Sequence, residues 1–367
     1  MIGPKAYIHS ERLKNNLWKI RRYVGPRNLM IVVKANGYGH GAINIASIIR
    51  DEPNIIFCVF TIEEAIELRD NGVKNNILVF SKIQREILDR VIKYNLWVNA
   101  SDQEDLKMIH ENYQRTGKSP NIHLKFDTGM TRLGFELEDA GTVFEFLKKH
   151  PHLKIQGLYS HFATADEGDL TYAHAQLSKF NKIIALSRDA GIQFKYIHCS
   201  NSGAVLNLPD AFFNTIRVGM LLYGSAPSRD VLMNIEVEPV MSFCGPIINV
   251  RKVKAGTQVS YGGVYTTNQT SNIAVIQTGF ADGFPRPWYE KGYVSYKGSH
   301  YKIAGRVCMD QLMVDFKDVE PKIGDEVLFF GKKENDFISI ETIAEEIDTT
   351  TYVLLTAIHG RTEYVLI

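Results

Sequence analysis

Short apolar runs alternate with amphipathic helical stretches from Leu29 to Gly219. Eight runs rich in β-branched and aliphatic residues are separated by segments in which apolar residues recur every three or four positions. Two of these segments open with the Ser/Thr-x-x-Glu pattern of a capping box, at Thr61–Glu64 and Ser101–Glu104. Strands that alternate with helices predict parallel pairing, because parallel neighbours need a long crossover connection. The eight runs are LMIVVK, IIFCVF, ILVF, LWVNA, NIHLKFD, IQGLYSH, YIHCS and FNTIRVG.

The number of these units favours a closed barrel. Eight strand–helix units in roughly 190–220 residues match a (β/α)8 TIM-type barrel in count and size. A doubly wound open sheet is the competing architecture, but its usual GxGxxG turn is missing. We therefore predict an α/β fold with a cofactor-binding barrel over residues 1–225.

The pattern changes after Gly224. Helical periodicity fades, and short strands with turn signals predict a mainly β domain over residues 226–367. About the first ten residues of the chain are a candidate addition to this domain. The predicted strands lie in PIINVRKV, TQVSYGGVY, SNIAVIQTGF, YKIAGRVCMD and EVLFFGKK.

Composition narrows the class of protein. The 367-residue chain is 45% hydrophobic and 23% charged, with a formal net charge of +1, so it has no basic excess for nucleic acid. No apolar run approaches the ~20 residues of a membrane span, and no secretory signal opens the chain. The four cysteines show no CxxC spacing, which predicts a reduced, cytoplasmic protein without a metal site.

Polar residues collect at the ends of the predicted barrel strands, where this fold places its catalytic groups. Taken singly, each has an ordinary explanation: a solvated strand-end lysine, a buried hydrogen-bonded histidine, a helix cap or a rim salt bridge. Their shared position on one face of a barrel favours a functional site. They are Lys34, Lys125, Asp127, Arg132, His161, Ser200, Asn201, Ser202, Arg217 and Gly219.

A phosphate site is expected after the seventh and eighth strands. That position is a recurrent phosphate site of the fold, and helix N-terminal amides with small residues let backbone N–H groups approach an anion. In a closed ring the first strand, which ends at Lys34, lies beside the eighth. A lysine next to a phosphate site suggests pyridoxal phosphate, which forms a Schiff base with lysine. The GYGHG stretch is no Walker A loop, because its lysine precedes the glycines.

Seven motifs, in order along almost the whole chain, resemble those of the alanine racemase family. They are VVKANGYGHG, DTGMTRLGF, SNSGAV, RVGMLLYG, VSYGGVY, GFADG and GRVCMDQ. The resemblance implies an isomerase with a barrel and a β domain that uses pyridoxal phosphate to interconvert L- and D-alanine for peptidoglycan. It also implies a cytoplasmic head-to-tail homodimer with shared active sites.

The resemblance assigns the reacting groups. Lys34 would hold the cofactor as an internal aldimine and act as the base on one face of the substrate. Tyr261, from the other subunit, would be the second base, because racemisation needs an acid/base group on each face. Arg132 and the backbone of Met309 would position the substrate carboxylate. Lys125 corresponds to a lysine that the family carries as N6-carboxylysine and that orients Arg132.

The resemblance also assigns the cofactor contacts. Arg217 would lie against the pyridine nitrogen, and His161 would connect it to Tyr261 through hydrogen bonds. Asn201 belongs to the cofactor site behind the direct contacts, and Asp310 lies behind the substrate site. The phosphate contacts would be Tyr38, Ser202, the backbone of Gly219 and Met220, and Tyr352.

Some residues depart from the family pattern and keep alternatives open. Gly37 stands where alanine is usual, Thr131 where glycine is usual, and Phe280 where a tyrosine of the substrate channel is common; the ending IHGRTEY also differs. A serine or broader-specificity racemase is therefore the second hypothesis. A non-catalytic pyridoxal-phosphate protein is the third, although small carriers of that kind lack the β domain and Tyr261. Related barrel decarboxylases carry a carboxylate in place of Arg217.

Overall fold

Eight parallel strands form the barrel in the computed structural model, which describes residues 3–367. The first seven strands pair in chain order, and the eighth pairs with the first, with Met30 opposite Arg217. The remaining gap, between the seventh and eighth strands, is bridged where Arg217 N–H donates to the carbonyl of Ser200 at 3.1 Å. In chain order, the first nine strands of the protein are β1 Lys5–Ile8, β2 Asn28–Val32, β3 Ile55–Val59, β4 Ile77–Val79, β5 Trp97–Ala100, β6 Asn121–Lys125, β7 Lys154–Tyr159, β8 Tyr196–His198 and β9 Thr215–Val218, of which β2–β9 form the barrel.

The longer helices lie outside the barrel and bury an apolar stripe, whereas the short α2 is a left-handed turn at the barrel mouth. In α4, for example, Ile62, Ala65 and Leu68 are buried at helical spacing. The barrel strands themselves are buried on both faces, which is why they are continuous apolar runs in the sequence. The nine helices of this part are α1 Ser10–Val24, α2 Lys34–Tyr38, α3 Ala42–Ile49, α4 Ile62–Asp70, α5 Leu88–Lys93, α6 Gln103–Thr116, α7 Ala140–Lys149, α8 Thr171–Asp189 and α9 Ser202–Asn207.

One predicted capping box is confirmed and the other is wrong. At α4 the Thr61 hydroxyl accepts from Glu64 N–H, and the Glu64 carboxylate accepts from Thr61 N–H. Helix α6 begins one residue later than the Ser101–Glu104 pattern predicts, because Asp102 is its N-cap and accepts from Asp105 N–H at 3.0 Å. The buried Asp105 carboxylate instead accepts hydrogen bonds from the hydroxyl and the N–H of Ser101, at 2.8 Å each.

Most of the C-terminal part is antiparallel sheet. Six strands form a closed ring in the order β10, β17, β14, β15, β16 and β13, because β10 pairs with both β13 and β17. Strand β1 also pairs with β10, and β19 pairs with β1. The sequence pattern did not predict the two helices of this part. The elements are β10 Met241–Val253, β11 Gln258–Val259, β12 Tyr265–Thr266, β13 Ser271–Ile276, β14 Tyr293–Tyr296, β15 Ser299–Ile303, β16 Leu312–Asp315, β17 Glu326–Lys333, β18 Asp336–Ile338, α10 Ile340–Glu346, α11 Thr351–Thr356 and β19 Glu363–Leu366.

Helix α11 packs against the segment that follows Lys34. A Cβ built on Gly39 would lie 1.9 Å from the carbonyl oxygen of Leu355, so only glycine permits this approach. Within residues 3–367 no helix is both long and apolar enough to cross a membrane.

Replacing Gly39 by alanine should separate the effect of this contact from that of backbone strain. Gly39 and Gly256 have φ angles of 79° and 81°, but a Cβ on Gly256 would meet no atom within 4 Å. We expect Gly256→Ala to lose about 1–2 kcal/mol of unfolding free energy from its left-handed backbone alone. Gly39→Ala should lose about 1–3 kcal/mol more, from displacement of α11. Equal losses in urea or thermal unfolding would contradict this packing.

Candidate active site

The segment after Lys34 is a left-handed turn. Ala35, Asn36 and Gly37 have φ of 51°, 52° and 63°, with ψ between 42° and 52°, and Tyr38 has φ of 51°. Such a conformation costs an L-residue roughly 1–2 kcal/mol because its Cβ crowds the following carbonyl. Glycine at position 37 avoids that cost, whereas Ala35, Asn36 and Tyr38 bear it. We call residues 35–38 the lysine turn.

Hydrogen bonds from the next residues hold the lysine turn. The Nδ1 of His40 lies 3.0 Å from the Tyr38 carbonyl and 3.2 Å from that of Gly37, and must donate because carbonyls only accept. Burial lowers the pKa of His40 to about 4, so the ring is neutral near pH 7. Three backbone bonds complete the turn: Gly37 N–H to Val33 O, Gly39 N–H to Ala35 O and Gly41 N–H to Asn36 O.

Arg217 is the central buried cation of the barrel mouth. Its side chain is 4% exposed and donates to His198 Nδ1 at 2.7 Å and to His161 Nδ1 at 3.1 Å. It also donates to the carbonyls of Ser160 and Cys199, at 2.9 and 3.0 Å. These acceptors lie at the ends of β7 and β8, so the guanidinium joins three neighbouring strands.

A chain of two buried histidines continues from Arg217 into the barrel. Because His198 Nδ1 accepts from the guanidinium, its Nε2 must carry the proton, and that atom lies 3.0 Å from His123 Nδ1. His123 is then protonated at Nε2, a buried atom for which residues 3–367 offer no hydrogen-bond partner. Burial, with the nearby Arg217 charge, lowers the pKa of His123 to about 3 and that of His198 well below its usual value. Sequence reasoning missed both residues, whose only signal is a histidine inside an apolar strand.

Three further cations face His161. Burial and then the charges of Arg217, Arg132, Lys125 and Lys34 hold the pKa of His161 well below its usual range. Burial, with Arg132 and Arg217, lowers the pKa of Lys125 to about 8. Burial and then Arg132 also lower the pKa of Lys34. The structure therefore brings these predicted site residues together and lowers the pKa of both lysines.

The loop that carries Arg132 is organised by Asp127. One carboxylate accepts from the N–H groups of Gly129, Met130 and Arg132 at 2.7–2.9 Å. Burial alone would raise the pKa of Asp127, but these hydrogen bonds hold it below its usual value. Thr131, which lies between Met130 and Arg132 in this loop, has φ of 53°, an unusual conformation for a β-branched residue. The aspartate thus holds the strained backbone that precedes Arg132.

A corner with hydroxyl and backbone N–H groups lies between α9 and the end of β9. The Ser202 hydroxyl accepts from Gly219 N–H and Leu221 N–H, both at 3.3 Å. A Cβ on Gly219 would lie 2.9 Å from the hydroxyl of Tyr38, so the lysine turn and β9 meet here only because residue 219 is glycine. The ring of Tyr352, on α11, is 5.9 Å from that of Tyr38.

This corner fits the phosphate of pyridoxal phosphate. Two tyrosine hydroxyls, a serine hydroxyl and backbone N–H groups are the donors that a phosphate dianion needs. Met220 is buried beside them. Asn201 has a different task, since its side-chain oxygen accepts from Ala204 N–H at 2.9 Å and caps α9.

The remaining predicted residues lie apart on the β domain. Tyr261 is 66% and Met309 57% exposed, and within residues 3–367 no hydrogen bond or ion pair joins either to Lys34 or Arg217. The loop of Met309 is held by Arg361, which donates to Asp310 at 2.8 Å and to the buried Asp282 at 3.0 Å. The altered C-terminal sequence therefore still supplies an arginine that supports this loop.

A strand-end lysine, a buried arginine and an anion corner at the carboxyl ends of parallel strands define an enzyme active site of the (β/α)8-barrel class. The chain also carries a β domain after the barrel, so the class is that of barrel enzymes with an appended β domain.

Comparison with known proteins gives the family. Residues 8–227 match the alanine racemase N-terminal domain and residues 240–366 the alanine racemase C-terminal domain. The chain belongs to the alanine racemase family. It is 36% identical over 358 residues to the alanine racemase of Carboxydothermus hydrogenoformans, covering 97% of each chain. It is 37% identical over 366 residues to that of Desulforamulus reducens, covering 99% of this chain and 98% of the relative.

Solved structures agree with this assignment. The alanine racemase of Clostridium difficile 630 superposes with a TM-score of 0.93 at 34% identity, covering 100% of this chain and 96% of that one. The alanine racemase of D-cycloserine-producing Streptomyces lavendulae gives 0.93 at 30% identity, covering 100% and 97%. The predicted fold class and the predicted resemblance are both confirmed.

Protonation of the buried histidines can be tested by pH. We expect the Nε2–H form of His123 to persist between about pH 7.5 and pH 5, because its pKa in the folded protein is about 3. The unfolded chain takes up that proton near pH 6.5, so stability should fall as the pH drops below about 6.5. Side-chain ¹⁵N spectra, assigned with a His123→Asn variant, and thermal unfolding measure the two effects. A His123 ring that titrates near pH 6.5 in the folded protein would contradict the hydrogen-bond chain.

Proposed function

We propose that this protein interconverts L- and D-alanine as a pyridoxal-phosphate-dependent, two-base racemase that supplies D-alanine for peptidoglycan. The observation that carries the proposal is the adjacency of β2 and β9. Met30 lies opposite Arg217, so the lysine that follows β2, the buried arginine and the Ser202–Gly219 corner share one part of the barrel mouth. The relatives named alanine racemase, at 36% and 37% identity over nearly the whole chain, support the choice of substrate.

The residues of this corner would hold the cofactor. Ser202, the backbone of Gly219 and Met220, Tyr38 and Tyr352 would take the phosphate, and Arg217 the ring nitrogen. Pyridoxal phosphate, when bound through Lys34, supplies an electron sink that acidifies the substrate α-proton. Asn201 contributes by capping the helix that begins with Ser202.

Lys34 is suited to hold and release a proton. Burial and then the charge of Arg132 lower its pKa, which is the direction that a general base requires. Tyr261 of the partner subunit would act on the opposite face. Arg132 would bind the substrate carboxylate together with the Met309 N–H of the partner subunit, and Asp310, held by Arg361, would support that loop.

Lys125 would orient Arg132. A lysine with a pKa of about 8 carries a substantial neutral fraction near neutral pH, and neutral amines are the form that reacts with carbon dioxide. We therefore propose N6-carboxylysine at position 125, whose negative charge would face Arg132.

Arg217 favours racemisation over the decarboxylation of related barrels. Its side chain has acceptors on both terminal nitrogens, so it stays a cation and keeps its protons. A guanidinium does not readily protonate a pyridine nitrogen, which weakens the electron sink and limits side reactions. His161, bonded to Arg217 at 3.1 Å, would extend this network to Tyr261 of the partner subunit.

We further propose that the working form is a cytoplasmic head-to-tail homodimer. Tyr261 and Met309 are exposed on the β domain of their own chain, which suits residues that complete a second chain's site. In this assembly the barrel, residues 1–225, would carry the cofactor, and residues 226–367 with β1 would face the partner's barrel mouth.

Hydrogen exchange tests the activity. Purified protein with pyridoxal phosphate should exchange the α-hydrogen of alanine with solvent deuterium, and the two enantiomers should approach equal amounts. We expect at least a ~10³-fold loss in Lys34→Ala, since both the covalent anchor and one base are removed. Serine is the matched competing substrate. If the α-hydrogen of alanine exchanges only at the background rate, the proposal is wrong. If serine is turned over faster than alanine, serine is the substrate instead.

Subunit mixing tests the shared site. Lys34→Ala and Tyr261→Phe chains should each be nearly inactive. After the two are unfolded together and refolded in equal amounts, half of the dimers are mixed and each has one intact site of two. We therefore expect about a quarter of the wild-type activity to return. No recovery, in a preparation shown to contain mixed dimers, would place Tyr261 in the site of its own chain or outside the chemistry.

A further inference from the structure

Glu64 connects the first turn of α4 to the lysine turn. Its Oε2 accepts from Phe60 N–H at 2.7 Å and from Thr61 N–H at 3.0 Å, which is the capping-box contact. Its Oε1 accepts from Ala35 N–H at 2.7 Å. One half-buried carboxylate therefore binds three backbone N–H groups from two separate segments.

The third contact exceeds what a helix cap needs. A capping box is complete when the N3 side chain reaches the N-cap N–H, which here uses Oε2 alone. Oε1 lies instead on the peptide that joins Lys34 to the first residue of the lysine turn. The lysine turn is left-handed at every residue, and this conformation costs free energy. A hydrogen bond to its first N–H group therefore helps to fix the residue at which the turn begins.

We propose that Glu64 is a positioning residue for Lys34: by binding Ala35 N–H it fixes the peptide from which the lysine side chain projects into the cofactor site. The inference rests on the proposed function. Charge-assisted hydrogen bonds to a carboxylate are about twice as strong as neutral ones, which suits this contact to holding a strained backbone.

The same carboxylate has an electrostatic effect. Burial and then the charge of Arg132 lower the pKa of Lys34, whereas the charge of Glu64 raises it. His161, at the end of β7, faces the same site and has a pKa well below its usual range. Removing the Glu64 carboxylate should therefore have two consequences that act in opposite directions on cofactor capture. The Lys34 amine should lose its proton more easily, but the orientation of the Lys34 side chain should be less well fixed.

Two measurements separate these consequences. In protein freed of pyridoxal phosphate, acetic anhydride labelling of Lys34, read by peptide mass spectrometry across pH, reports the amine's pKa. Titration with pyridoxal phosphate, followed by its absorbance, reports capture of the aldehyde. In Glu64→Ala we expect the labelling profile to move to lower pH and cofactor affinity to fall about tenfold.

Thr61→Val is the matched control. It removes the other half of the capping box, the hydroxyl that accepts from Glu64 N–H at 3.2 Å, and leaves the carboxylate on Ala35. We expect both readouts to stay within about twofold of wild type. Glu64→Gln is the isosteric variant. Its single oxygen can serve either the cap or Ala35 but not both, so its affinity should also fall.

The outcomes decide between the roles. If Glu64→Ala and Thr61→Val change both readouts equally, Glu64 is only a helix cap and the proposal is wrong. A labelling profile that moves to higher pH in Glu64→Ala would also overturn it. If wild-type protein captures no pyridoxal phosphate, the proposed function fails, and the labelling profiles alone then decide whether Glu64 acts on Lys34.

Discussion

A guanidinium removed from water needs an acceptor for the N–H groups it buries, and Arg217 imposes that requirement on the whole barrel mouth. Carbonyls at the ends of β7 and β8 point at it, and two histidines are fixed in the form that accepts from it. Its position opposite Met30 also places it beside the strand that ends at Lys34. The order of the site follows from satisfying this one cation.

The same cation determines the electrostatics of its neighbours. Burial and then Arg132 and Arg217 lower the pKa of Lys125 to about 8, and burial with Arg217 holds the pKa values of His161 and His198 well below their usual range. At Lys34 the cation that lowers the pKa, after burial, is Arg132. The nearby negative charges belong to carboxylates that bind backbone N–H groups beside the site. Asp127 organises the backbone before Arg132, and Glu64 lies at the start of the lysine turn. Acidic groups thus act on the site through backbone N–H groups.

Much of the barrel could be predicted because its strands are buried on both faces and appear as eight apolar runs. The neighbourhood of Lys34 and Arg217 followed from ring closure and is confirmed by the pairing of β2 with β9. Other features depend on contacts that no local pattern reveals. The VSYGGVY stretch resembles a strand, but Ser260 and Gly262 have positive φ, so only the two-residue strands β11 and β12 form.

The lysine turn shows the same limit at the site itself. Ala35 carries no signal for left-handed backbone and Asn36 only a weak one; the turn is stabilised by His40, Glu64 and the packing of α11. His123 and His198 are hidden in apolar runs because the hydrogen bonds that explain them come from Arg217. Tyr352 lies on a helix, α11, that the apolar periodicity of the β domain did not indicate.

Strand β1 pairs only with β10 and β19, with Ile8 opposite Met241 and Leu366. On a ribosome that adds about 5–20 residues per second, this strand would wait roughly 10–50 s for its first partner. Its second partner, β19, is synthesised after every other strand described here. The barrel strands β2–β9 can therefore meet before β1 has either partner, and one edge of β1 stays unpaired until β19 is made.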